Sequence, residues 1–166
     1  MAEPQVLWRG AAAHTAWTGA IERMTAAATG EAVGLLRAML DQTATYIRQR
    51  KQFGQTIGSF QAVQHRMADM LVDVEQAHSL ALAAIRDPAN AMLVSAAKAR
   101  ANRSLQYVAN QSVQLHGGIG TTQELALSRY YRRALVLIGE FGSTPAHLTR
   151  VEAGLAARIH SCGTVA

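Results

Sequence analysis

Only three prolines interrupt this 166-residue chain, at positions 4, 88 and 145. A proline inside a helix removes a backbone donor and clashes with the preceding turn. Their absence from residues 5–87 and 89–144 leaves room for long unbroken helices. Alanine, the strongest helix former, fills much of both stretches. Within them, Leu36, Met39, Leu40, Thr43 and Ile47 recur at three- and four-residue steps, which predicts a helix over residues 15–48. Gly30 and Gly34 inside that helix suggest close approach of a neighbour. Gly54 and Gly58 break the period as a loop, and Ser59 is placed to cap a second helix over 60–85. Its inward stripe reads Val63, Met67, Met70, Leu71 and Val74. Asp87 and Pro88 end it. A third helix over 89–115 turns Leu93, Ala97, Leu105 and Val108 inward. A fourth covers 124–138, and a last one starts at Pro145 behind a Ser143 or Thr144 cap and ends near 159. Long helices and short loops predict an all-α fold, an up-down four-helix bundle with a short C-terminal fifth helix. The bundle is expected over 19–160, with 161–166 as a frayed tail. In 1–18, Gln5-Val6-Leu7-Trp8 reads as a strand without a partner, the remnant or linker of a preceding β-domain.

Composition narrows the function classes. At 49% hydrophobic and 16% charged residues the chain is too apolar to be disordered. The net charge of +5 admits an acidic or phosphorylated partner, yet there is no Lys/Arg tract and only 5% aromatics, which argues against nucleic acid. A single cysteine, Cys162, permits no disulfide within the chain and suits a reducing, cytoplasmic setting. No basic segment precedes an apolar core at the start, and no apolar run reaches the length of a membrane span.

Three kinds of chemistry are open to such a chain. The six histidines do not fall into the ligand pairs that a di-iron bundle requires, so no metal is expected. Cys162 sits in the tail with only His160 beside it, and reads as an ordinary thiol rather than a nucleophile. Phosphate recognition remains. Arg50 and Lys51 precede Gly54 and Gly58, Ser143 and Thr144 follow Gly142, and Gln114-Leu115-His116-Gly117-Gly118-Ile119-Gly120 links two helices. A guanidinium fork matches phosphate oxygens, and glycine lets backbone come close to a ligand. Each stretch is equally compatible with a plain turn or cap.

Taken together, Arg50-Lys51-Gln52-Phe53-Gly54, Ile57-Gly58-Ser59-Phe60-Gln61, Gln64-His65-Arg66-Met67-Ala68-Asp69-Met70 and the 114–120 stretch resemble, in order and spacing, the C-terminal helical domain of acyl-CoA dehydrogenases over residues 20–155. The resemblance implies FAD as cofactor and α,β-dehydrogenation of an acyl-CoA thioester, within fatty acid metabolism. It implies a homo- or hetero-oligomer, a dimer or tetramer, with an electron-transfer flavoprotein as possible acceptor. By matching position, Arg50 and Gln61, with Phe53 nearby, would reach the FAD of a neighbouring subunit. Gln114, Leu115, His116, Gly117 and Gly118 would line its adenosine-pyrophosphate part, and Ser143 and Thr144 would add a further contact.

The chain departs from the family pattern in three places. Phe141 stands where the catalytic glutamate is usual, and phenylalanine cannot take a proton. Met24 and Thr25 occupy the alternative base position and the position of a CoA-contacting arginine. Glu22, Glu31 and Glu140 are the nearby substitutes, and the base is unassigned. The N-terminal helical and middle β-domains have no counterpart in the chain. Phe141 with a later His147 resembles a bacterial subgroup, and in the wider group some members form mixed oligomers in which one subunit type supplies the base. The resemblance thus implies an acyl-CoA dehydrogenase present as its C-terminal domain and inactive alone. The alternative is a non-catalytic partner subunit or assembly module that completes another chain's FAD site.

Overall fold

The computed structural model describes residues 9–121 and 125–162. Five α-helices follow in order: α1 (Gly10–Gln49), α2 (Gln61–Arg86), α3 (Ala91–His116), α4 (Ala126–Gly139) and α5 (Thr144–Cys162). The expected strand at residues 5–8 lies outside the described residues, as do residues 163–166 of the tail. Helix α1 starts at Gly10, so residues 10–18, expected to be linker, are its first turns. Ala11, Ala12 and Ala13 lie in those turns, and alanine has the highest helix propensity of any residue. At 40 residues α1 is about 60 Å long.

Helix α3 is the centre of the fold and packs against each of the other four helices. Its sequence explains why. Ala97, Ala101, Ser104, Ala109 and Ser112 are buried on it, and such small side chains let neighbouring backbones approach. Leu105 and Val108 of α3 join Leu36 and Met39 of α1, Met70 and Val74 of α2, and Leu127 and Leu137 of α4 in one apolar core. Each large side chain there contributes about 1.5–3 kcal/mol by leaving water. Asn90 caps α3, its Oδ1 accepting the Leu93 N–H at 3.1 Å. Ser104 and Arg100 tie α3 to α2 through Asp73: the guanidinium donates to Asp73 Oδ1 at 2.5 Å and the hydroxyl at 2.9 Å.

Some local expectations change. Leu71 is exposed, because the buried face of α2 runs through Met70, Val74, Ala77, Ala81 and Ala84, and a one-residue step turns a side chain by about 100°. Gly30 does sit against α2, where an added Cβ would meet Ile85 at 3.3 Å, but Gly34 faces open space. The loop at 49–59 contains a hairpin, β1 (Lys51–Gln52) and β2 (Gln55–Thr56), with Lys51 opposite Thr56 and Gln52 opposite Gln55. Its two turn residues, Phe53 and Gly54, have φ of 53° and 79°, as a two-residue hairpin demands. Ser59 does not cap α2. Its hydroxyl donates to the Thr56 carbonyl at 2.6 Å, while Gln64 donates to the Gly58 carbonyl at 3.1 Å.

Candidate functional site

A cavity of about 500 Å³ lies where the end of α1 meets the end of α3, lined by Tyr46, Arg50, Gln52, Ile57, Gln114, Leu115, His116, Gly117 and Gly118. Two helix terminations build it. Arg50 caps α1, its N–H bonded to the Tyr46 carbonyl at 2.9 Å, and its own carbonyl accepts the Ile57 N–H at 2.8 Å. This closes the hairpin back onto the helix end. At the other wall, Gly117 ends α3 at φ 64° and ψ −147°, a conformation open to glycine. A 3₁₀ turn over Gly117–Thr121 follows. The walls touch through Tyr46 and His116, whose rings stack with centroids 4.3 Å apart and planes at 24°. The Tyr46 hydroxyl donates to the His116 carbonyl at 3.2 Å.

The glycines have separate jobs. The Gly117 N–H is already bonded to the Gln114 carbonyl, so it is not a free donor for an anion. A Cβ added at Gly117 or Gly118 would meet nothing within 4 Å, whereas one at Gly120 would sit 2.8 Å from the Val113 carbonyl oxygen. Gly120 is therefore required by packing inside the chain. The other two leave open space beside the cavity, and the cation that lines it is Arg50.

The cavity thus joins six residues singled out from sequence, Arg50, Gln114, Leu115, His116, Gly117 and Gly118. Phe53 and Gln61 are not among its lining residues. Phe53 stands at the hairpin tip, 90% exposed, with an edge contact to Phe60 at 6.2 Å between centroids. Gln61 is the exposed first residue of α2. Ser143 and Thr144 lie elsewhere, at the start of α5, where Ser143 Oγ accepts the Ala146 N–H at 3.5 Å. Sequence reading missed Tyr46, Gln52 and Ile57. Tyr46 carried a usable signal, since it stands four residues before Arg50 and hence on the same face of α1.

A second polar cluster, also missed, lies under the turn that joins α4 to α5. Phe141 has φ 58° and packs its ring against the core. The turn is held from below. His147 Nε2, which carries the proton in this arrangement, donates to the Phe141 carbonyl at 2.9 Å, and Asn102 donates to the Gly142 carbonyl at 3.3 Å. Lys98, 1% exposed, donates to Asn102 Oδ1 at 2.6 Å and to the Leu137 carbonyl at 2.7 Å. Burial pushes the Lys98 ammonium down to about 8, against an opposing pull from Glu140. Burial also lowers His147 below the ordinary imidazole range, only partly offset by its bond to Phe141. His147 Nδ1 is buried without a hydrogen-bond partner among the described residues.

The three candidate bases are each held by an arginine. Glu22 is buried and pairs with Arg150 of α5. Arg133 bridges Glu31, at 2.5 Å and 2.8 Å, and Glu140, at 3.2 Å from each oxygen. Hydrogen bonding to Arg133 holds the Glu31 carboxyl below its usual range. One Glu-x-x-His spacing exists, Glu75 with His78 on α2, but the two sit 3.7 Å apart beside Arg37 at the surface. Among the described residues no group of three or more His, Cys, Asp or Glu side chains could hold a metal. None of their helices is long and apolar enough to cross a membrane.

Residues 14–156 match the family described as acyl-CoA dehydrogenase, C-terminal domain. Acyl-CoA dehydrogenase IpdE2 of Mycolicibacterium smegmatis is 40% identical over 125 residues, which cover 74% of this chain and 39% of that protein. Glutaryl-CoA dehydrogenase of Desulfococcus multivorans is 39% identical over 117 residues, 68% of this chain and 30% of that protein. A glutaryl-coenzyme A dehydrogenase solved with glutaryl-CoA superposes with a TM-score of 0.81 at 30% identity, covering 84% of this chain and 36% of that one. The chain therefore spans two-fifths or less of the length of these relatives.

Proposed function

The chain belongs to the acyl-CoA dehydrogenase family, whose C-terminal domain its residues 14–156 match, and from that membership we propose that it forms the nucleotide-holding part of an FAD site in an enzyme that dehydrogenates acyl-CoA thioesters. The observation that carries the reading is the 500 Å³ cavity itself, where one permanent cation, Arg50, shares a concave surface with two glycines that leave open space. Its size suits part of a dinucleotide. Arg50 would hold the diphosphate, and the Gln114 amide can donate and accept toward ribose or phosphate. Gly117 and Gly118 would give clearance for the ligand's body. By the family match the FAD that Arg50 reaches would be a neighbouring subunit's, with Gln61 reaching it as well and Phe53 nearby, and Ser143 and Thr144 would add a further contact at the start of α5.

When bound, FAD supplies the hydride acceptor for α,β-dehydrogenation. The chain's own residues bind and orient. The carboxylates of Glu22, Glu31 and Glu140 are each paired with an arginine, which disfavours them as the proton acceptor, and the base is unassigned. The bundle over 19–160 would follow a β-domain, in a dimer or tetramer of cytoplasmic fatty acid metabolism that passes electrons to an electron-transfer flavoprotein. The relatives are themselves named dehydrogenases, which supports this reading over a separate assembly module.

The test is FAD titration of the purified chain, alone and with a β-domain-bearing relative, followed by flavin fluorescence and by acyl-CoA turnover with an artificial acceptor. Uptake that Arg50→Ala abolishes, without turnover by the chain alone, is the expected result. Absence of uptake in every pairing would overturn the cofactor reading, and robust turnover by the chain alone would overturn its incompleteness.

A further inference from the structure

Tyr46 is the residue through which the two walls of the cavity are joined. It stands on α1 four residues before Arg50, and it meets α3 in two ways. Its ring covers the His116 imidazole at 4.3 Å, and its hydroxyl donates to the His116 carbonyl at 3.2 Å. That carbonyl belongs to the last residue of α3, where the helix has no later turn to supply a donor. The very next residue is Gly117, whose dihedrals swing the chain away from the helix and set where Gly118 stands. His116 is fixed in turn. It is 5% exposed, and its Nδ1 lies 2.7 Å from the Ser112 carbonyl, which assigns the proton to Nδ1. A stack that could slide is thereby pinned at both ends, on the helix that carries Arg50 and on the helix that ends in the glycine turn.

We propose that Tyr46 is the positioning residue of this cavity, holding the Gly117–Gly118 turn at a set distance from Arg50 so that the adenosine diphosphate portion of the cofactor meets a preformed site. The proposal rests on the nucleotide reading above. A site preformed in the free protein spares the ligand the cost of ordering it, so loss of the clamp weakens binding even where every contacting residue is kept. The hydroxyl and the ring act separately. Tyr46→Phe removes the bond to the His116 carbonyl and keeps the stack, while Tyr46→Leu removes both.

The experiment compares the 166-residue chain with Tyr46→Phe, Tyr46→Leu and Arg50→Ala. ADP is titrated to millimolar concentration by calorimetry, and amide exchange is read at Gly117 and Gly118. Tyr46→Phe should weaken ADP binding by about 3- to 10-fold, the usual effect of one hydrogen bond. It should also speed exchange at the two glycines while exchange in the α2 core stays as in the parent chain. Tyr46→Leu should lose more than Tyr46→Phe on both readouts. A merely structural tyrosine would lower global stability without singling out the glycine turn. If both Tyr46 variants bind ADP like the parent and only Arg50→Ala fails, the positioning role is wrong and the nucleotide reading survives. If the parent itself takes no ADP, the nucleotide reading falls and the proposal with it.

Discussion

Lys98 donates its ammonium to the Leu137 carbonyl across 2.7 Å, in a setting that leaves the lysine 1% exposed. The bond ties the middle of the bundle to the end of α4. The burial of Lys98 makes the fold sensitive to alkaline pH in an unusual direction. The folded-state pKa is about 8 against 10.5 for the free side chain. Between those values the unfolded chain holds a proton that the folded one has lost, so stability rises with pH through this window. The gain should be on the order of 2–3 kcal/mol. Urea midpoints measured from about pH 8 to pH 10 should rise in the parent chain and stay flat in Lys98→Met.

The turn above Lys98 has no space for a side chain at Gly142. Its φ is 113°, and an added Cβ would lie 2.8 Å from His147 Nε2. Gly142→Ala must therefore strain the backbone and displace the donor to the Phe141 carbonyl. A loss of about 2–4 kcal/mol is expected in chemical denaturation. A change within about 0.5 kcal/mol would mean that the turn is not held as described.

Gly118 and Gly120 should part company when replaced by alanine. At Gly120 the new Cβ would press on the Val113 carbonyl at 2.8 Å and on His116 Cβ at 2.9 Å, and a backbone neighbour cannot swing aside. Gly120→Ala should cost about 2–4 kcal/mol of stability. Gly118→Ala meets nothing and should melt within a degree or two of the parent, a shift of the size that about 0.5 kcal/mol produces. Its defect should instead appear as weaker FAD or ADP binding, measured by titration.

Asp73 and Arg100 form the polar clasp between α2 and α3, with side chains 22% and 25% exposed. Arg100 Nε is buried without an acceptor among the described residues. Asp73→Ala should therefore cost about 2–4 kcal/mol, chiefly because a guanidinium is left in poor solvent. Arg100→Ala in the same background should add less than it costs alone. A double-mutant cycle should return a coupling of about 1–2 kcal/mol, and additive losses would show that the pair contributes little.

The helices were legible in the sequence because their causes are local. Prolines at 88 and 145, the spacing from Leu36 to Ile47, and alanine-rich stretches act within a few residues of themselves. The order and number of the long helices, and the all-α class, follow from them. Part of the cavity was legible too, since Arg50 and the glycines at 117–118 stand at helix ends and belong to a recognisable series of motifs. What remained hidden depends on partners distant in the chain. The hairpin at 51–56 turns on Phe53 adopting a positive φ, which residue type disfavours and the closing bond from Ile57 to Arg50 imposes. Lys98 reads as one more solvated lysine until α4 brings the Leu137 carbonyl over it.

The sequence by itself therefore determined which segments are helical, where they stop, and which ends carry cations and glycines. Only the tertiary structure decided which of those ends meet. Tyr46 and His116 lie 70 residues apart, and nothing in either local pattern names the other. Their contact exists because small side chains on α3 let α1 pack close beside it, which brings the two helix ends together. The burial of Glu22 against Arg150 and the capture of Glu31 and Glu140 by Arg133 were settled in the same way. A carboxylate's chemistry is set by the charge that packing places beside it, and packing is a property of the whole bundle.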